Sequence, residues 1–333
     1  MAAKNPITNA LESDGRFIIA EIGSNHNGNI EEAKRLIYEA KVAGADSAKL
    51  QFFRARDLLP DSHPEYSIVS QLETPLDWFQ ELKLFAEELG IALFASVFNK
   101  DYAKELIKGD IFALKVASSE IINLPLLAFY SKLEIPLIVS FGMSEWYEVE
   151  QAMSVLGRFG KKDIFPLHCV SNYPLAIEDA NLNTIASLHD RFGSPVGFSD
   201  HTMSVEIGSW AYSFGAKIFE KHITLSRDSK GPDHHYALEP QEFKKYVKLI
   251  GDFQKATGNN RKIYSSSEIS GRGRLGSYAR QDLKPGDILN VESIDLKSPR
   301  LGIPSNMLQQ FLGSKISKFI KAGQPISLSD IET

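Results

Sequence analysis

The sequence has a single cysteine and no long apolar run, and each absence narrows the class of protein. With Cys169 alone, the 333-residue chain can form no intrachain disulfide, which is typical of a reducing compartment. No apolar stretch approaches the roughly 20 residues that a membrane helix needs. The first residues also lack the apolar core of a signal peptide. We therefore expect a cytoplasmic protein that does not associate with a membrane.

Dense basic runs are also missing. Lysine and arginine number 37 against 42 acidic residues, so the formal net charge is −5. This balance makes nucleic acid a poor candidate for the partner. Apolar residues at 43% and charged residues at 24% are ordinary for a folded globular chain. The length exceeds what one core usually fills, so we expect a large domain and a smaller one.

Eight short segments rich in apolar and β-branched residues alternate with amphipathic helical patterns through residues 1–265. Asn29 is predicted to cap the first of these helices, with Glu32 as its capping-box partner and Gly44 at the end. Eight strand–helix units in about 250 residues describe a (β/α)₈ TIM barrel. An open doubly wound sheet is the alternative, but no G-x-G-x-x-G follows the first strand. The predicted strands are 16–23, 47–53, 91–97, 112–118, 136–142, 164–170, 196–200 and 217–223.

The alternation of strand and helix patterns ends after about Lys262. Residues 266–276 are rich in serine, glycine and arginine, and we predict a linker there. Beyond it, residues 283–289 and 320–326 form a near repeat with a spacing of 37 residues, and each copy contains a Lys-x-Gly turn. We predict a small β domain over residues 277–333.

Nearly every predicted strand ends in a polar side chain, and barrel enzymes build their active sites at these ends. A single such residue is as readily explained by a hydrogen bond at the rim. Eight polar strand ends together predict an active site. In strand order they are Glu21; Lys49 and Gln51; Ser96; Lys115, Ser118 and Glu120; Ser140; His168; Ser199, Asp200 and His201; and Glu220, Lys221 and His222.

Two histidines form a candidate metal site. His201 and His222 end neighbouring strands, so their imidazoles can converge on one ion. Two nitrogen ligands leave positions for substrate and water oxygens, which favours manganese, cobalt or magnesium over zinc. The alternative is a pair of core histidines bonded to backbone carbonyls. His168 is either a third ligand or structural, and we favour the structural role. His234 and His235 are predicted to be solvated loop residues outside the metal site.

Two lysines form a candidate anion site. Lys49 and Lys115 lie inside predicted strands, where an unpaired ammonium is costly. Two lysines in one barrel mouth can hold a phosphate or a carboxylate. Alternatively, each lysine pairs with a buried acid such as Glu21 or Glu120. A lysine that forms a Schiff base, as in an aldolase, is the main rival mechanism.

These motifs resemble those of the N-acetylneuraminate (sialic acid) synthase family. The C-terminal part resembles the antifreeze-like (SAF) domain that ends this family's chain. The resemblance implies an enzyme that condenses phosphoenolpyruvate with an N-acylated hexosamine, N-acetylmannosamine or a related bacterial amino sugar. The products would be a nine-carbon 3-deoxy-2-keto sugar acid and phosphate. The matching stretches are residues 18–28, 44–51, 115–120, 168–174, 197–202, 220–222 and 231–233.

The resemblance also implies roles for individual residues. His201 and His222 would bind a divalent metal, Mn²⁺ above all, with Mg²⁺ or Co²⁺ as alternatives. Glu21 would help to handle the attacking water. Lys115 would be the fourth catalytic residue, beside Glu21 and the two histidines. The implied phosphoenolpyruvate site consists of Lys49, Gln51, Ser96, Lys115, Ser118, Ser140 and Ser199. The further substrate-binding candidates are Ser171, where a relative has asparagine, and Glu120, Tyr173 and Asp233, which are expected near the sugar.

One departure from the family concerns the small domain. The family has an arginine just before a proline, which reaches the partner subunit's site and holds the N-acyl group. Here Ser298 precedes Pro299, and Arg300 lies two residues later. Either Arg300 substitutes for that arginine or the acyl group is recognised differently, so the acceptor sugar stays open. The resemblance implies a domain-swapped homodimer. The alternative to this dimer is a small domain that caps its own barrel. The alternative to an enzyme is a carbohydrate- or ice-binding protein.

Overall fold

The computed structural model describes residues 5–157, 160, 163–268 and 273–332, and the chain divides into two compact units, residues 1–258 and 259–333. In the first unit eight parallel strands close into a barrel in sequential order. This confirms the predicted (β/α)₈ fold, and each strand lies within its predicted segment. The strands are β1 Phe17–Gly23, β2 Ser47–Phe52, β3 Ala92–Val97, β4 Leu114–Val116, β5 Leu137–Ser140, β6 Ile164–Cys169, β7 Gly197–Asp200 and β8 Ile218–His222.

Helices alternate with these strands and cover the barrel. Strand residues such as Leu50 and Phe198 share one continuous apolar core with Leu36 and Ile37 of the helix after β1. Within the described residues, no helix is both long and apolar enough to cross a bilayer. The helices are α1 Pro6–Ser13, α2 Ile30–Ala43, α3 Ala55–Leu58, α4 Tyr66–Gln71, α5 Trp78–Leu89, α6 Lys100–Lys108, α7 Leu124–Tyr130, α8 Trp146–Gly157, α9 Asn183–Phe192, α10 Ile207–Ser213 and α11 Pro240–Thr257.

The ends of α2 confirm most of the predicted capping. The Asn29 side chain accepts a bond from the Glu32 backbone N–H at 3.4 Å, and Gly44 ends the helix with a φ of 92°. The prediction that Glu32 completes a capping box with Asn29 is wrong. The Asn29 backbone N–H donates to the His26 carbonyl at 2.8 Å, and the Glu32 carboxylate accepts from the Asn27 amide at 3.4 Å. The tight turn before the helix therefore satisfies the group that Glu32 was expected to bind.

The near repeat in the second unit is a structural repeat. Leu283 and Ile320, which start the two copies, exchange backbone hydrogen bonds of 2.8 and 2.9 Å, so the copies pair with each other. Both Lys-x-Gly turns place glycine in the left-handed region, Gly286 at 91° and Gly323 at 82°. The antiparallel strands of this unit are β9 Gly276–Ala279 and β10 Ile294–Lys297. Residues 269–272 of the predicted linker lie outside the described residues, and the domain boundaries stay a prediction.

We predict that Gly197→Ala disrupts the barrel wall. A Cβ added at Gly197 would lie 2.3 Å from the Ile218 carbonyl oxygen of β8 and 2.4 Å from Leu167 Cδ2. Because a strand backbone cannot yield locally, we expect the free energy of unfolding to fall by about 1–3 kcal/mol, measured in urea. Gly157→Ala is the control, since among the described residues no atom beyond its chain neighbours and its own helix backbone lies within 4 Å of the added Cβ. A Gly197→Ala variant as stable as the wild type would contradict this account.

Candidate active site

A cavity of about 550 Å³ opens among the residues at the C-terminal ends of the barrel strands. Its position is the one that barrel enzymes use for catalysis. The structure thus gathers most of the predicted site in one place. Twelve of the fifteen predicted site residues line it: Glu21, Lys49, Gln51, Ser96, Lys115, Ser118, Ser140, Ser171, Tyr173, Ser199, His201 and His222.

The register of the barrel explains this convergence. Glu21 of β1 lies beside Lys49 of β2 on one side and beside His222 of β8 on the other. Ser96 of β3 lies beside Lys115 of β4. Because side chains alternate between the two faces of a strand, such neighbours point to the same side of the wall. The polar residues of different strands therefore form one ring.

The floor of the cavity holds two lysines and two glutamates. Lys49 Nζ lies 2.8 Å from Glu21 Oε2 and 3.7 Å from Glu220 Oε2, and it donates to Ser96 Oγ at 3.0 Å. Lys115 Nζ lies 3.5 Å from Glu220 Oε1. All four charged residues are at most 4% exposed. Buried charges need such partners, and here two positive groups face two negative groups.

Glu220 was named among the polar strand ends but was given no role in the predicted site. It lies two residues before His222 in β8, so strand alternation places both on one face. Its Oε1 accepts a hydrogen bond of 2.9 Å from Ser199 Oγ. Although burial alone raises the pKa of a carboxyl, Lys115 and Lys49 lower the pKa of Glu220 to about 2. Glu220 is therefore an ionised partner for both lysines.

The other three charged groups have distinct environments. Burial raises the pKa of Glu21, with the Lys49 ammonium acting in the opposite direction. Burial also lowers the pKa of Lys115, which Glu220 only partly offsets. Burial acts on Lys49 in the same way, but Glu21 and Glu220 together raise its pKa. The surroundings therefore shift the pKa values of the two carboxyl groups, Glu21 and Glu220, in opposite directions. Such a difference between neighbouring acids is typical of active sites.

The two predicted metal ligands face each other, with ring centroids 5.6 Å apart. His201 Nδ1 lies 2.9 Å from the Val170 carbonyl oxygen. Because that oxygen can only accept, Nδ1 is the donor in this bond, and Nε2 is the ring nitrogen left to bind a metal. Burial lowers the pKa of His222 to about 4, so its ring is neutral at pH 7. Neutral imidazoles are the form that binds metals.

This donor set fits a divalent ion that takes most of its ligands from elsewhere. In the part of the chain that the structure describes, no three histidine, cysteine, aspartate or glutamate residues are grouped to hold a metal. His201 and His222 would supply two nitrogens, as the sequence predicted. Substrate and water oxygens would complete an octahedral shell, which suits manganese, magnesium or cobalt.

Further aromatic and acidic groups surround the histidines. The Tyr173 ring centroid lies 4.1 Å from that of His201. Asp233 does not line the cavity, but its Oδ2 lies 3.9 Å from His222 Nδ1. Its Oδ1 accepts a 2.9 Å bond from the Tyr236 hydroxyl, which sequence reasoning missed. A single tyrosine in a loop gave no signal, because its role depends on the fold of the segment after β8.

Serine hydroxyls complete the floor. Ser140 Oγ is buried and has no hydrogen-bond partner within the described structure, so it is free to bind an anion. Ser118 Oγ accepts a 2.8 Å bond from the Gly142 backbone N–H. A Cβ on Gly142 would lie 2.9 Å from Ser118 Oγ and 2.3 Å from Ser171 Oγ. Glycine at this position therefore lets three strand ends approach closely. On the opposite side, Gln51 Nε2 donates to Glu21 Oε1 at 2.6 Å.

Within the barrel unit, Glu120 is a predicted site residue that lies apart from the floor. Glu21 and Glu120 were the acids named as possible partners of the lysines. Glu21 does pair with Lys49, but Glu120 is wrong, since Glu220 is the acid beside Lys115. Glu120 sits instead on a short 3₁₀ turn after β4, half-buried, and its carboxylate accepts from the Asn123 amide at 2.8 Å. Arg300 belongs to the second unit and is exposed there.

The remaining histidines have structural surroundings. His168 Nε2 donates to the Ala180 carbonyl at 2.7 Å, in agreement with the structural role favoured above. The predicted solvation of His234 is wrong, since it is 2% exposed and its Nδ1 lies 2.7 Å from Thr224 Oγ1. Contacts with a distant loop, invisible in a local sequence window, bury it. His235 is exposed, as expected.

Comparisons with known proteins agree with this geometry. Residues 36–262 match the NeuB family and residues 277–332 the SAF domain. The N,N'-diacetyllegionaminic acid synthase of Campylobacter jejuni is 36% identical over 328 residues, 93% of this chain and 98% of that one. The pseudaminic acid synthase of Helicobacter pylori is 31% identical, covering 95% and 97%. A solved structure of the sialic acid synthetase of Leptospira borgpetersenii is 33% identical with a TM-score of 0.73, covering 76% of this chain and 89% of that one.

We predict that Glu220→Gln destabilises the protein, because it leaves Lys115 buried without its carboxylate. Breaking a buried ion pair from one side costs about 3–5 kcal/mol, measured by urea unfolding. Added phosphate should restore part of the loss by binding the freed ammonium. The control is Glu31→Gln, which removes one of the two exposed partners of Lys34 and should change stability by less than about 1 kcal/mol. If both variants were as stable as the wild type, Glu220 would not be the group that stabilises the buried lysines.

Proposed function

The chain belongs to the NeuB family, and on that premise we propose that it condenses phosphoenolpyruvate with an N-acylated amino sugar. The products are a nine-carbon 3-deoxy-2-keto sugar acid and phosphate, released with carbon–oxygen cleavage. The names of its relatives support the coarser statement, that it is a synthase of nonulosonic acids. One observation in the site carries the proposal: two buried ammonium groups and a free hydroxyl lie in the same cavity as two histidines whose rings face each other.

The floor suits a small molecule with two anionic groups. Phosphoenolpyruvate carries a phosphate and a carboxylate, and Lys49, Lys115 and the free Ser140 hydroxyl can bind both. Glu21 and Glu220 hold the ammonium groups in place beforehand and balance their charge. Such preorganised charges stabilise a reaction without reorganising during it.

The proposed metal is Mn²⁺, with Mg²⁺ or Co²⁺ as alternatives, held by His201 Nε2 and by His222. When bound, it supplies Lewis-acid polarisation of the sugar's aldehyde. Tyr173 and Asp233 lie beside these histidines, so they are placed to orient the acceptor. Glu21, next to His222 in the barrel wall, is placed to hold the attacking water.

The reaction follows from these positions. Carbon 3 of phosphoenolpyruvate attacks the carbon of the open-chain aldehyde, and the aldehyde oxygen gains a proton to become a hydroxyl. Water adds at carbon 2 and loses one proton. The resulting hydroxyl then passes its remaining proton to the departing phosphate as the bond between carbon 2 and the phosphate oxygen breaks and the ketone forms. Lys49 and Lys115 stabilise the phosphate and carboxylate charge throughout. The Glu21 carboxylate accepts the proton of the water as it adds.

A Schiff-base aldolase is the alternative. One observation favours it: burial lowers the pKa of Lys115, and a nucleophilic lysine must be neutral. Against it, Glu220 stabilises the charged ammonium at 3.5 Å. Borohydride trapping of a covalent adduct with a keto sugar acid would support the aldolase.

The assembly and the acceptor are parts of the same proposal. We propose a cytoplasmic homodimer in which each SAF domain covers the other subunit's barrel. Arg300, exposed in the second unit, would then hold the N-acyl group in place of the family's arginine. The acceptor would be N-acetylmannosamine or a related bacterial amino sugar.

The test is phosphate release from phosphoenolpyruvate with Mn²⁺, run against a panel of N-acylated hexosamines with and without a chelator. We expect release with one sugar and none with the chelator. His222→Ala should lower turnover by about 100-fold or more, because it removes one of two protein ligands. His235→Ala, which changes an exposed histidine, is the control and should keep wild-type turnover. Release that survives both the chelator and His222→Ala would refute the metal assignment.

A further inference from the structure

A second buried ion pair lies on the opposite face of the same two strands. Lys221 Nζ is 2.7 Å from Asp200 Oδ2, and both residues are 1% exposed. The two are partners in the β7–β8 ladder. Neither belongs to the cavity lining among the described residues. The mechanism proposed above uses neither of them.

Strand alternation explains how this pair relates to the site. Ser199 and His201 face the cavity from β7 and the segment after it, and Glu220 and His222 face it from β8. Asp200 and Lys221 lie between these residues, so they point away from the cavity. The outer pair is one residue from each of the two proposed metal ligands.

The bonds of Lys221 fix the chain on both sides of His201. The ammonium contacts Asp200, the residue before His201, and donates to the carbonyl oxygen and hydroxyl of Thr202, the residue after it. Asp200 Oδ1 in turn accepts the Thr202 backbone N–H at 2.8 Å. One side chain next to His222 therefore anchors the turn that carries His201.

Among the described residues, Asp200 is the acid within ion-pair distance of Lys221, and Glu242 of α11 adds only a longer-range attraction. The Lys221 ammonium lies 5.8 Å from the centre of the Tyr246 ring of α11. The Tyr246 hydroxyl is buried without a hydrogen-bond partner in the described structure. Removing one charge would leave the other buried and unpaired.

We propose that Asp200 and Lys221 are positioning residues, which set the separation of the His201 and His222 rings so that both imidazoles reach one divalent ion. This inference rests on the proposed metal site. It differs from a purely structural role, because a structural pair would affect folding while leaving metal affinity unchanged once the protein is folded.

The experiment compares stability with Mn²⁺ affinity. The variants are Asp200→Asn, Lys221→Met and the double variant that carries both changes. Free Mn²⁺ is measured by electron paramagnetic resonance with the full chain, and unfolding by urea. The single variants should be destabilised, because each leaves a buried group unpaired. The double variant should recover stability, since it buries no charge.

Mn²⁺ affinity should not recover in the same way. We expect it to be about tenfold weaker in the double variant, as for other supporting residues of metal ligands. Leu82→Ala is the control, since it removes a buried side chain of α5 and should lower stability while keeping affinity within twofold. If a single variant does not fold, the double variant carries the test.

Two results would overturn the inference, and they are distinguishable. If His222→Ala abolishes Mn²⁺ binding while the double variant binds like the wild type, the positioning role fails and the metal site stands. If His222→Ala also binds like the wild type, the metal site itself fails and the positioning role fails with it.

Discussion

The burial of two ammonium groups at the top of the barrel is the constraint on which the rest of the site depends. Lys49 and Lys115 are almost inaccessible, so the fold has to supply carboxylates within reach of them. Glu21 and Glu220 fill that need from the two strands that meet where the barrel closes. An anionic substrate then enters a cluster whose charges already oppose each other. The carboxylates that stabilise the buried ammonium groups also fix their positions, as binding of the proposed anionic substrate requires.

Closure of the sheet into a barrel brings the residues of the site together. β1 and β8 are neighbours only because the barrel closes, and that neighbourhood places Glu21 beside His222. In an open sheet these strands would sit far apart, and the glutamate and the histidine could not share a substrate. The proposed acid–base group and the proposed metal ligand are therefore brought together by the topology of the barrel, although they lie about 200 positions apart in sequence.

The sequence predicted the strands and the polar ring well, because both depend on local alternation. Glu220 was within reach of the same reasoning, since it shares a strand face with His222. Choosing it over Glu120 as the partner of Lys115 was not possible from sequence. That choice depends on a 3₁₀ turn after β4, which turns Glu120 toward Asn123. The burial of His234 likewise depends on Asn27, from the other end of the barrel unit.

The β7–β8 edge carries two charge clusters on its two faces. Inside, Ser199 bonds to Glu220; outside, Asp200 bonds to Lys221, one residue further along each strand. Because consecutive side chains alternate, neither cluster can shift without moving the backbone that holds the other. The inner cluster lines the cavity, and the outer one bonds to the strand ends that carry the histidines. In the proposed function, the substrate and the metal would therefore depend on the same pair of strands, and a change on the buried outer face would alter the cavity through the backbone.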